Sequence, residues 1–268
     1  MSAPRRAAPP PRLFVDPPLP APGSTLDLPP AAARHVQVLR LQPGAPLRLF
    51  DGRGGEALAS VLGIGRRDVQ ARLEAFDPVE RELPLAVTLA VGVPANDRMD
   101  ALIEKATELG AAAIVPLVCE RSVLRLEGDR ADRRQVHWQA VAVAACEQCG
   151  RNRVPAVAPL TALPAWLRAA AASRPGGQEA GASSWLLSPQ AATTLPRAWT
   201  ALHRAPAAAT LLSGPEGGLT AAEEALAGAA GFRPVGLGGR ILRADTAPLA
   251  ALAWLALQAT ANEARIDP

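Results

Sequence analysis

The sequence predicts an α/β protein in which a small, mostly β domain precedes a larger domain built on a parallel sheet. The first part of the chain contains short β-like runs separated by Asp-Gly and Gly-Gly turns, which are typical of hairpins. After residue 84, fully apolar runs of strand length alternate with helical patterns, which indicates a parallel sheet covered on both faces. With 268 residues, the chain is long enough for both domains.

The small domain is expected over residues 12–80, and a β-barrel is the favoured arrangement because closure removes exposed strand edges. Residues 1–11 are rich in proline and are expected to form a disordered lead-in rather than a secretory signal. Asp77–Pro84 is predicted to be a linker. Strands are predicted at Leu47–Phe50, Ala57–Leu62 and Val69–Leu73.

The larger domain is expected over residues 84–268. Its first strand, Leu85–Val91, is followed by an amphipathic helix over Asp97–Leu109, which Gly110 ends. Pro175–Ser183 is predicted to be a flexible loop. Further strands are predicted at Ala113–Val118, Val154–Pro159, Ser184–Leu187, Thr210–Ser213 and Pro234–Leu237. Further helices are predicted at Arg133–Cys149 and Thr246–Glu263.

Bulk composition limits the classes of function. No apolar run approaches the roughly 20 residues that a membrane-spanning helix needs. With three cysteines and no export signal, a disulfide framework is not expected and a cytoplasmic location fits. A net charge of +3 is too small to establish a polyanionic partner by itself. Because tyrosine is absent and phenylalanine is scarce, a protein that stacks successive bases on aromatic side chains is disfavoured.

Two glycine-rich segments follow two successive predicted strands. Ser213–Thr220 leads into a predicted helix, because Thr220 and Glu223 have the spacing of a capping box. Gly236–Ala247 contains two arginines and also precedes a helix. Since both segments follow strands of a parallel sheet, they would lie at the same sheet edge, where such sheets bind ligands. An ordinary tight turn is the alternative for the first segment, and surface ion pairs are the alternative for the two arginines.

A C-x-x-C pair, Cys146 and Cys149, suggests a redox or zinc site. Only Cys119 and His137 could supplement it, whereas zinc sites with four ligands usually need a second cysteine pair. Buried free cysteine is the favoured interpretation, and no metal is expected. The Arg151–Arg153 segment that follows is expected to be exposed, where its arginine and asparagine side chains would suit contacts with nucleic acid.

Four segments together resemble, in order and spacing, the RsmE family, the bacterial uracil-N3 methyltransferases of small-subunit ribosomal RNA. These segments are Glu104–Gly110, Ala144–Pro155, Leu212–Leu219 and Leu242–Ala247. The resemblance covers nearly the whole chain and implies a PUA-like RNA-binding domain followed by a SPOUT methyltransferase domain. It also implies a deep trefoil knot formed by the C-terminal loops. One residue departs from the family pattern, because Asp245 stands where the family usually has glutamate.

The resemblance implies that S-adenosyl-L-methionine (SAM) is the cofactor and that three loops bind it. The residues expected to contact SAM are Leu187, Ser188, Pro189, Leu212, Gly214, Pro215, Glu216, Gly217, Gly218, Leu237, Gly238, Arg240, Leu242 and Thr246. The resemblance also implies a homodimer, in which the RNA-binding residues of one subunit can serve the SAM site of the other. The residues expected to contact RNA are Arg12, Arg34, His35, Arg40, Arg121, Arg151, Asn152 and Arg153.

The expected reaction is methylation of uracil N3 in 16S ribosomal RNA or the small ribosomal subunit. The methyl group of SAM is already electrophilic, whereas neutral uracil N3 carries a proton that an acceptor must remove. Arg153 or Arg243 is expected to stabilise the charge that develops on the base, and Asp245 or Glu216 is expected to accept the proton. The base must be unstacked, which favours an RNA loop or junction over an intact duplex.

Three other functions stay open at this stage. A non-catalytic RNA-binding factor of ribosome assembly would need no glycine-rich loops, and a SAM-binding assay separates it from an enzyme. A nucleotide-dependent oxidoreductase would use the C-x-x-C pair, which thiol titration tests. A ribose 2′-O-methyltransferase on the same scaffold would yield a nucleoside modified on the sugar rather than on the base.

Overall fold

The computed structural model describes residues 9–16, 18–95, 98–123, 128–172 and 182–263. The chain separates into two compact units. The first consists of Met1–Glu82 together with Cys146–Val154, and the second consists of Leu83–Ala145 together with Pro155–Pro268. The return of residues 146–154 to the first unit was not predicted, because no local pattern reports a contact between distant parts of a chain.

The first unit is a five-stranded sheet with one helix. Its elements are β1 (Arg12–Phe14), β2 (Thr25–Asp27), helix α1 (Pro30–Val38), β3 (Pro46–Phe50), β4 (Glu56–Ile64) and β5 (Val69–Asp77). The strand order is β1-β3-β4-β5-β2, with β1 and β3 parallel and the other neighbours antiparallel. Three of these strands were predicted, and β3, β4 and β5 each extend beyond the predicted range by one to four residues at one or both ends.

Helix α1 explains how this sheet obtains a core. Ala32, Ala33 and Val36 are buried and pack with Leu47 and other apolar residues of the strands. A proline at the start of the helix suits its free N–H positions. The helix was not predicted, because its apolar residues are small and the segment is short. Its C-terminal end is marked by Arg40, which has the left-handed φ of 53°.

The second unit contains a seven-stranded sheet whose pairings are all parallel. The strand order is β12-β10-β11-β6-β7-β8, and β9 also pairs with β7. Its strands are β6 (Ala86–Gly92), β7 (Ala111–Val118), β8 (Ala156–Val157), β9 (Thr161–Ala162), β10 (Ala182–Leu187), β11 (Ala208–Ser213) and β12 (Arg233–Val235). Its helices are α2 (Arg98–Glu108), α3 (Asp129–Cys149), α4 (Leu163–Ala172), α5 (Leu195–Thr200), α6 (Ala221–Ala229) and α7 (Thr246–Glu263).

This architecture confirms the predicted α/β fold class, with a small β domain and a parallel sheet. The loop predicted at Pro175–Ser183 lies outside the described residues as far as residue 181. Its last two residues are already in β10, so that end of the prediction is wrong. Of the predicted lead-in, residues 1–8 lie outside the described residues, and the carbonyl of Pro11 accepts a hydrogen bond from the Arg48 N–H. The predicted knot stays a prediction.

Among the described residues, no helix combines the length and the apolar character needed to cross a bilayer.

Candidate functional site

Three neighbouring strands end at one edge of the parallel sheet. Strands β12, β10 and β11 run in the same direction, so Val235, Leu187 and Ser213 bring their following loops to that edge. Open parallel sheets bind their ligands at this type of edge. The geometry therefore brings the predicted cofactor loops to a common edge of the second unit.

A cleft opens where β10 and β12 end, with about 360 Å³ of empty volume that includes open solvent. Seven residues predicted to bind the cofactor line this cleft, namely Leu187, Ser188, Pro189, Leu237, Gly238, Arg240 and Leu242. Val235, Ile241 and Ala247 also line it and were not predicted. Val235 is the last residue of its strand, so extending the predicted loop back by two residues would have found it.

Backbone contacts hold the two loops of the cleft together. The N–H of Ser188 donates to the Val235 carbonyl at 3.0 Å, and the N–H of Gly236 donates to the Thr193 carbonyl at 2.9 Å. Gly238 has a φ of 106°, a conformation that favours glycine, and a Cβ at this position would meet no atom within 4 Å. Ile241 is 87% exposed, so it presents an apolar side chain to solvent at the mouth of the cleft.

The glycine-rich turn after β11 is well defined. The N–H of Gly218 donates to the Pro215 carbonyl at 2.8 Å, and Gly218 has a φ of 68°. The capping box predicted from Thr220 and Glu223 is present, and α6 begins directly after it. Seven predicted cofactor residues are absent from the lining of the cleft: Leu212, Gly214, Pro215, Glu216, Gly217, Gly218 and Thr246.

Three side chains tether this turn to the ends of β6 and β7. Arg121 donates from Nη1 to the Gly217 carbonyl at 2.9 Å. Glu216 accepts at Oε1 from the Ala95 N–H at 2.9 Å. Glu223 is buried, and its Oε1 accepts from the N–H of Glu120 at 2.8 Å. Arg121, predicted to contact RNA, therefore has a structural role that the sequence did not reveal.

The two arginines of the second glycine-rich segment, Arg240 and Arg243, are both exposed. Asp245 lies between them and α7 and is half-buried. Its Oδ1 is shielded from solvent and has no hydrogen-bond partner among the described residues. A buried carboxylate oxygen without a partner is costly, so it marks an atom that is available to a ligand.

The segment after the C-x-x-C pair differs from the prediction. Arg151 and Asn152 are buried, at 4% and 0% exposure, so the expectation that they are exposed is wrong. Arg151 Nε donates to Glu82 Oε1 at 3.0 Å, and Asn152 Nδ2 donates to the Val79 carbonyl at 2.9 Å. Both side chains hold the first unit together. Their expected contact with RNA stays a prediction.

The other residues predicted to contact RNA in the first unit differ in their surroundings. Arg153 is exposed and its guanidinium pairs with Glu80, with Nη2 and Oε1 3.1 Å apart. Arg34 and Arg40 are exposed, whereas His35 is half-buried with Nδ1 4.0 Å from a Glu147 oxygen. Arg12 is largely covered.

Cys146 of the C-x-x-C pair is a buried free cysteine, and so is Cys119. Burial raises the pKa of the Cys146 thiol to about 12 and that of the Cys119 thiol to about 12. Thiolate is the reactive form, so both thiols are unreactive near neutral pH. Within the described ranges, no group of three or more histidine, cysteine, aspartate or glutamate side chains is arranged to hold a metal ion. The raised pKa of Cys146 therefore gives no support to a redox function of the C-x-x-C pair, Cys146 and Cys149.

Comparisons with known proteins agree with this geometry. Residues 81–256 match a family model described as an RNA methyltransferase domain, and residues 28–74 match an RNA methyltransferase PUA domain. The chain is 37% identical over 242 residues to ribosomal RNA small subunit methyltransferase E of Synechocystis. The aligned region covers 87% of this chain and 73% of that protein.

Two solved structures are also similar. The first is a ribosomal RNA small subunit methyltransferase E from Neisseria gonorrhoeae bound to SAM, with a TM-score of 0.81, 37% identity and coverage of 92% of this chain and 96% of that one. The second is a putative methyltransferase from Legionella pneumophila in complex with SAM, with a TM-score of 0.83, 32% identity and coverage of 94% and 98%.

Proposed function

Since this chain belongs to the ribosomal RNA small subunit methyltransferase E family, we propose that it transfers a methyl group from SAM to N3 of a uridine in 16S ribosomal RNA. The observation that carries this proposal is the cleft at the ends of β10 and β12, which is lined by seven of the residues expected to bind SAM. The first unit binds RNA in this proposal, and the second holds the cofactor and performs the transfer. The cytoplasm is the proposed location.

The residues of the cleft fit SAM. Leu187, Val235, Leu237 and Leu242 supply aliphatic surface of the kind that covers an adenine ring, and the positive φ of Gly238 keeps the backbone open beside them. When bound, SAM supplies a methyl group that is electrophilic without help from a metal. The protein must therefore orient the uracil, remove its N3 proton and stabilise the resulting charge.

Asp245 is the better candidate for the proton acceptor. Its Oδ1 has no hydrogen-bond partner among the described residues and is shielded from water. The Oε1 of Glu216, in contrast, accepts from the Ala95 N–H and lies 3.4 Å from Arg98 Nη1. A carboxylate that already holds a loop in place is less free to accept a proton from a substrate.

Arg243 is the proposed charge stabiliser in the second unit, because it is exposed two residues before Asp245. Its guanidinium can donate to a uracil carbonyl on which negative charge develops. Arg153, which is exposed and held by Glu80, is the other residue proposed to stabilise this charge. Replacement of Arg153 by alanine should reduce methylation of RNA while leaving the affinity for SAM nearly intact, as measured by calorimetry.

A homodimer is part of the proposal. This part of the proposal is carried over from the family resemblance of the four segments described above. One chain has a mass of 27.8 kDa, and sedimentation equilibrium at micromolar concentration should give twice that mass.

The decisive experiment maps the methyl group. The protein is incubated with isotopically labelled SAM and either 16S ribosomal RNA or small ribosomal subunits, and the RNA is digested to nucleosides for mass analysis. Label on the base of a uridine, at N3, supports the proposal. Label on a ribose would favour the 2′-O-methyltransferase alternative. RNA binding without any binding of SAM would favour the non-catalytic assembly factor.

A further inference from the structure

A buried glutamate in the first unit contacts three arginines. Glu56, the first residue of β4, has a side chain that is 0% exposed, and it pairs with Arg12, Arg48 and Arg81. Arg81 Nη1 lies 3.3 Å from Glu56 Oε2 and also donates to the Gly150 carbonyl at 2.9 Å. These four residues are called the Glu56 node below.

The strand pattern explains why the arginines meet. Arg12 and Arg48 are directly opposite each other on β1 and β3. Because side chains alternate along a strand and Leu47 and Leu49 point into the core, Arg48 lies on the other face of the sheet. Like charges directly opposite each other on neighbouring strands repel, and Glu56 offsets that repulsion.

The node nevertheless keeps an excess of positive charge. Three guanidinium groups share the single carboxylate of Glu56, which leaves two positive charges without a negative partner at the node. Burial alone would raise the pKa of Glu56, but hydrogen bonds from Arg12 and Arg81 and their positive charges lower it overall. The carboxylate is therefore ionised at neutral pH, and the excess remains two rather than three.

The three arginines differ in what they can still bind. Arg12 has a side chain only 13% exposed, and its Nη2 already donates to Asn152 Oδ1 at 2.8 Å and to the Arg151 carbonyl at 3.1 Å. The Arg48 and Arg81 side chains are 34% and 40% exposed. Each uses only Nη1 in the hydrogen bonds found among the described residues, which leaves Nη2 and Nε for a ligand.

We propose that Arg48 and Arg81, held in place by Glu56, bind the phosphodiester backbone of the RNA substrate. This inference rests on the proposed function, since it assumes that RNA is the substrate. Glu56 is a positioning residue here. Arg12 holds the first unit together through its hydrogen bonds and is not a primary RNA contact. Guanidinium groups fixed by a carboxylate lose little side-chain entropy on binding, which makes them suited to a phosphate.

Salt dependence of RNA binding tests the proposal. The affinity of the full-length protein for 16S ribosomal RNA is measured between 50 and 200 mM salt for the wild type, Arg48→Gln, Arg81→Gln and the double variant. Each phosphate contact contributes about 0.7–0.9 to the slope of log affinity against log salt. Between 50 and 200 mM salt, the fold-loss of affinity of each single variant should therefore be smaller than that of the wild type by a factor of about 2.6–3.5. For the double variant, the fold-loss of affinity should be smaller than that of the wild type by a factor of about 7–12.

The matched control is Arg66→Gln. Arg66 is exposed in the turn between β4 and β5 of the same unit and has no ion pair among the described residues. Its replacement should leave the slope unchanged. A wild-type slope in the Arg48 and Arg81 variants would overturn the inference, as would an equal change in the control variant. Methyl transfer from labelled SAM by the wild-type protein tests the proposed function separately. If the wild type methylates RNA but the Arg48 and Arg81 variants keep the wild-type slope, the proposed role of the Glu56 node is refuted and the proposed function is not.

Discussion

Replacement of Glu56 by glutamine tests how far the first unit depends on its buried carboxylate. Glutamine keeps the size of the side chain and one acceptor oxygen, but it removes the charge that the three arginines share. Arg12, which is nearly covered, would then be left without a negative partner. The variant should therefore fold less stably, although no core volume is lost.

The magnitude follows from the exposure of each arginine. Removal of one partner of a buried ion pair costs about 3–5 kcal/mol, and this range applies to Arg12. Arg48 and Arg81 are at least a third exposed, so water screens their pairs and each adds no more than about 1 kcal/mol. We expect a loss of about 3–5 kcal/mol at pH 7. With a urea dependence of about 1–3 kcal/mol per molar, the unfolding midpoint should fall by about 1–5 M.

Two spectroscopic signals assign the effect to the first unit. All five tryptophans, Trp138, Trp166, Trp185, Trp199 and Trp254, are in the second unit, so their fluorescence reports on that unit, whereas far-ultraviolet circular dichroism reports on both. The dichroism transition of the variant should begin at lower urea. Glu74→Gln is the control, because Glu74 is exposed on β5 and, in the part of the chain that the structure describes, accepts a side-chain hydrogen bond only from Ser60. An unchanged dichroism transition in Glu56→Gln would refute the reasoning.

The pH dependence of this difference has a definite sign. The pKa of Glu56 is lowered in the folded protein, since contacts with Arg12 and Arg81 outweigh the effect of burial, so its ionisation stabilises the fold at pH values above the ordinary pKa of 4.5. That stabilisation is lost as the pH falls through the folded pKa. The gap between wild type and Glu56→Gln should therefore be full at pH 7 and shrink below pH 4.5.

Four further predictions concern other sites. Asp245→Asn should lower the methyl-transfer rate about 10²- to 10⁴-fold with little change in SAM affinity, and an unchanged rate would contradict the assignment of the proton acceptor. Gly92→Ala places a Cβ 2.6 Å from Pro215 N, so the glycine-rich turn must shift, and calorimetry should show SAM affinity reduced by about tenfold or more. Arg40→Gly should raise the free energy of unfolding by about 0.5–1 kcal/mol, because the left-handed conformation suits glycine. Cys146 should not react with a thiol reagent at pH 8 until the protein unfolds, since a pKa of about 12 leaves about one thiolate in ten thousand.

Local patterns predicted most elements of the second unit. The range of α7 was predicted to the residue, and each predicted strand has a counterpart, because a fully apolar run between turn signals has few other structures open to it. The first unit was predicted less completely. Strands β1 and β2 have three residues each, too few for an alternation to be visible. Residues 146–154 return to that unit through side-chain contacts that no periodicity reports.

The loops that line the cleft were predicted, whereas the burial and ion pairing of the arginines were not. The position of Gly238 and Leu242 at the cleft follows from the order of the strands, since parallel strands bring their ends to one edge of the sheet. Arginine in a loop carries no such constraint, because it pairs with whichever carboxylate the fold brings near. Glu82 and Glu80 lie about seventy positions before Arg151 and Arg153 in the sequence, so their pairing was beyond the reach of a local pattern.

Three contacts hold the glycine-rich turn after β11 to segments that lie on one side of it in the sheet. In the sheet, β11 lies between β10, which borders the cleft, and β6, which is followed by β7. Arg121, Glu216 and Glu223 all bind the turn or its capping box to segments that follow β6 or β7. The turn is thus fixed from the side of the sheet away from the cleft, and its ordering cost is met during folding. A polar residue that the sequence marks as a candidate for chemistry, such as Glu216 or Arg121, can therefore have its hydrogen bonds committed to holding a loop in place.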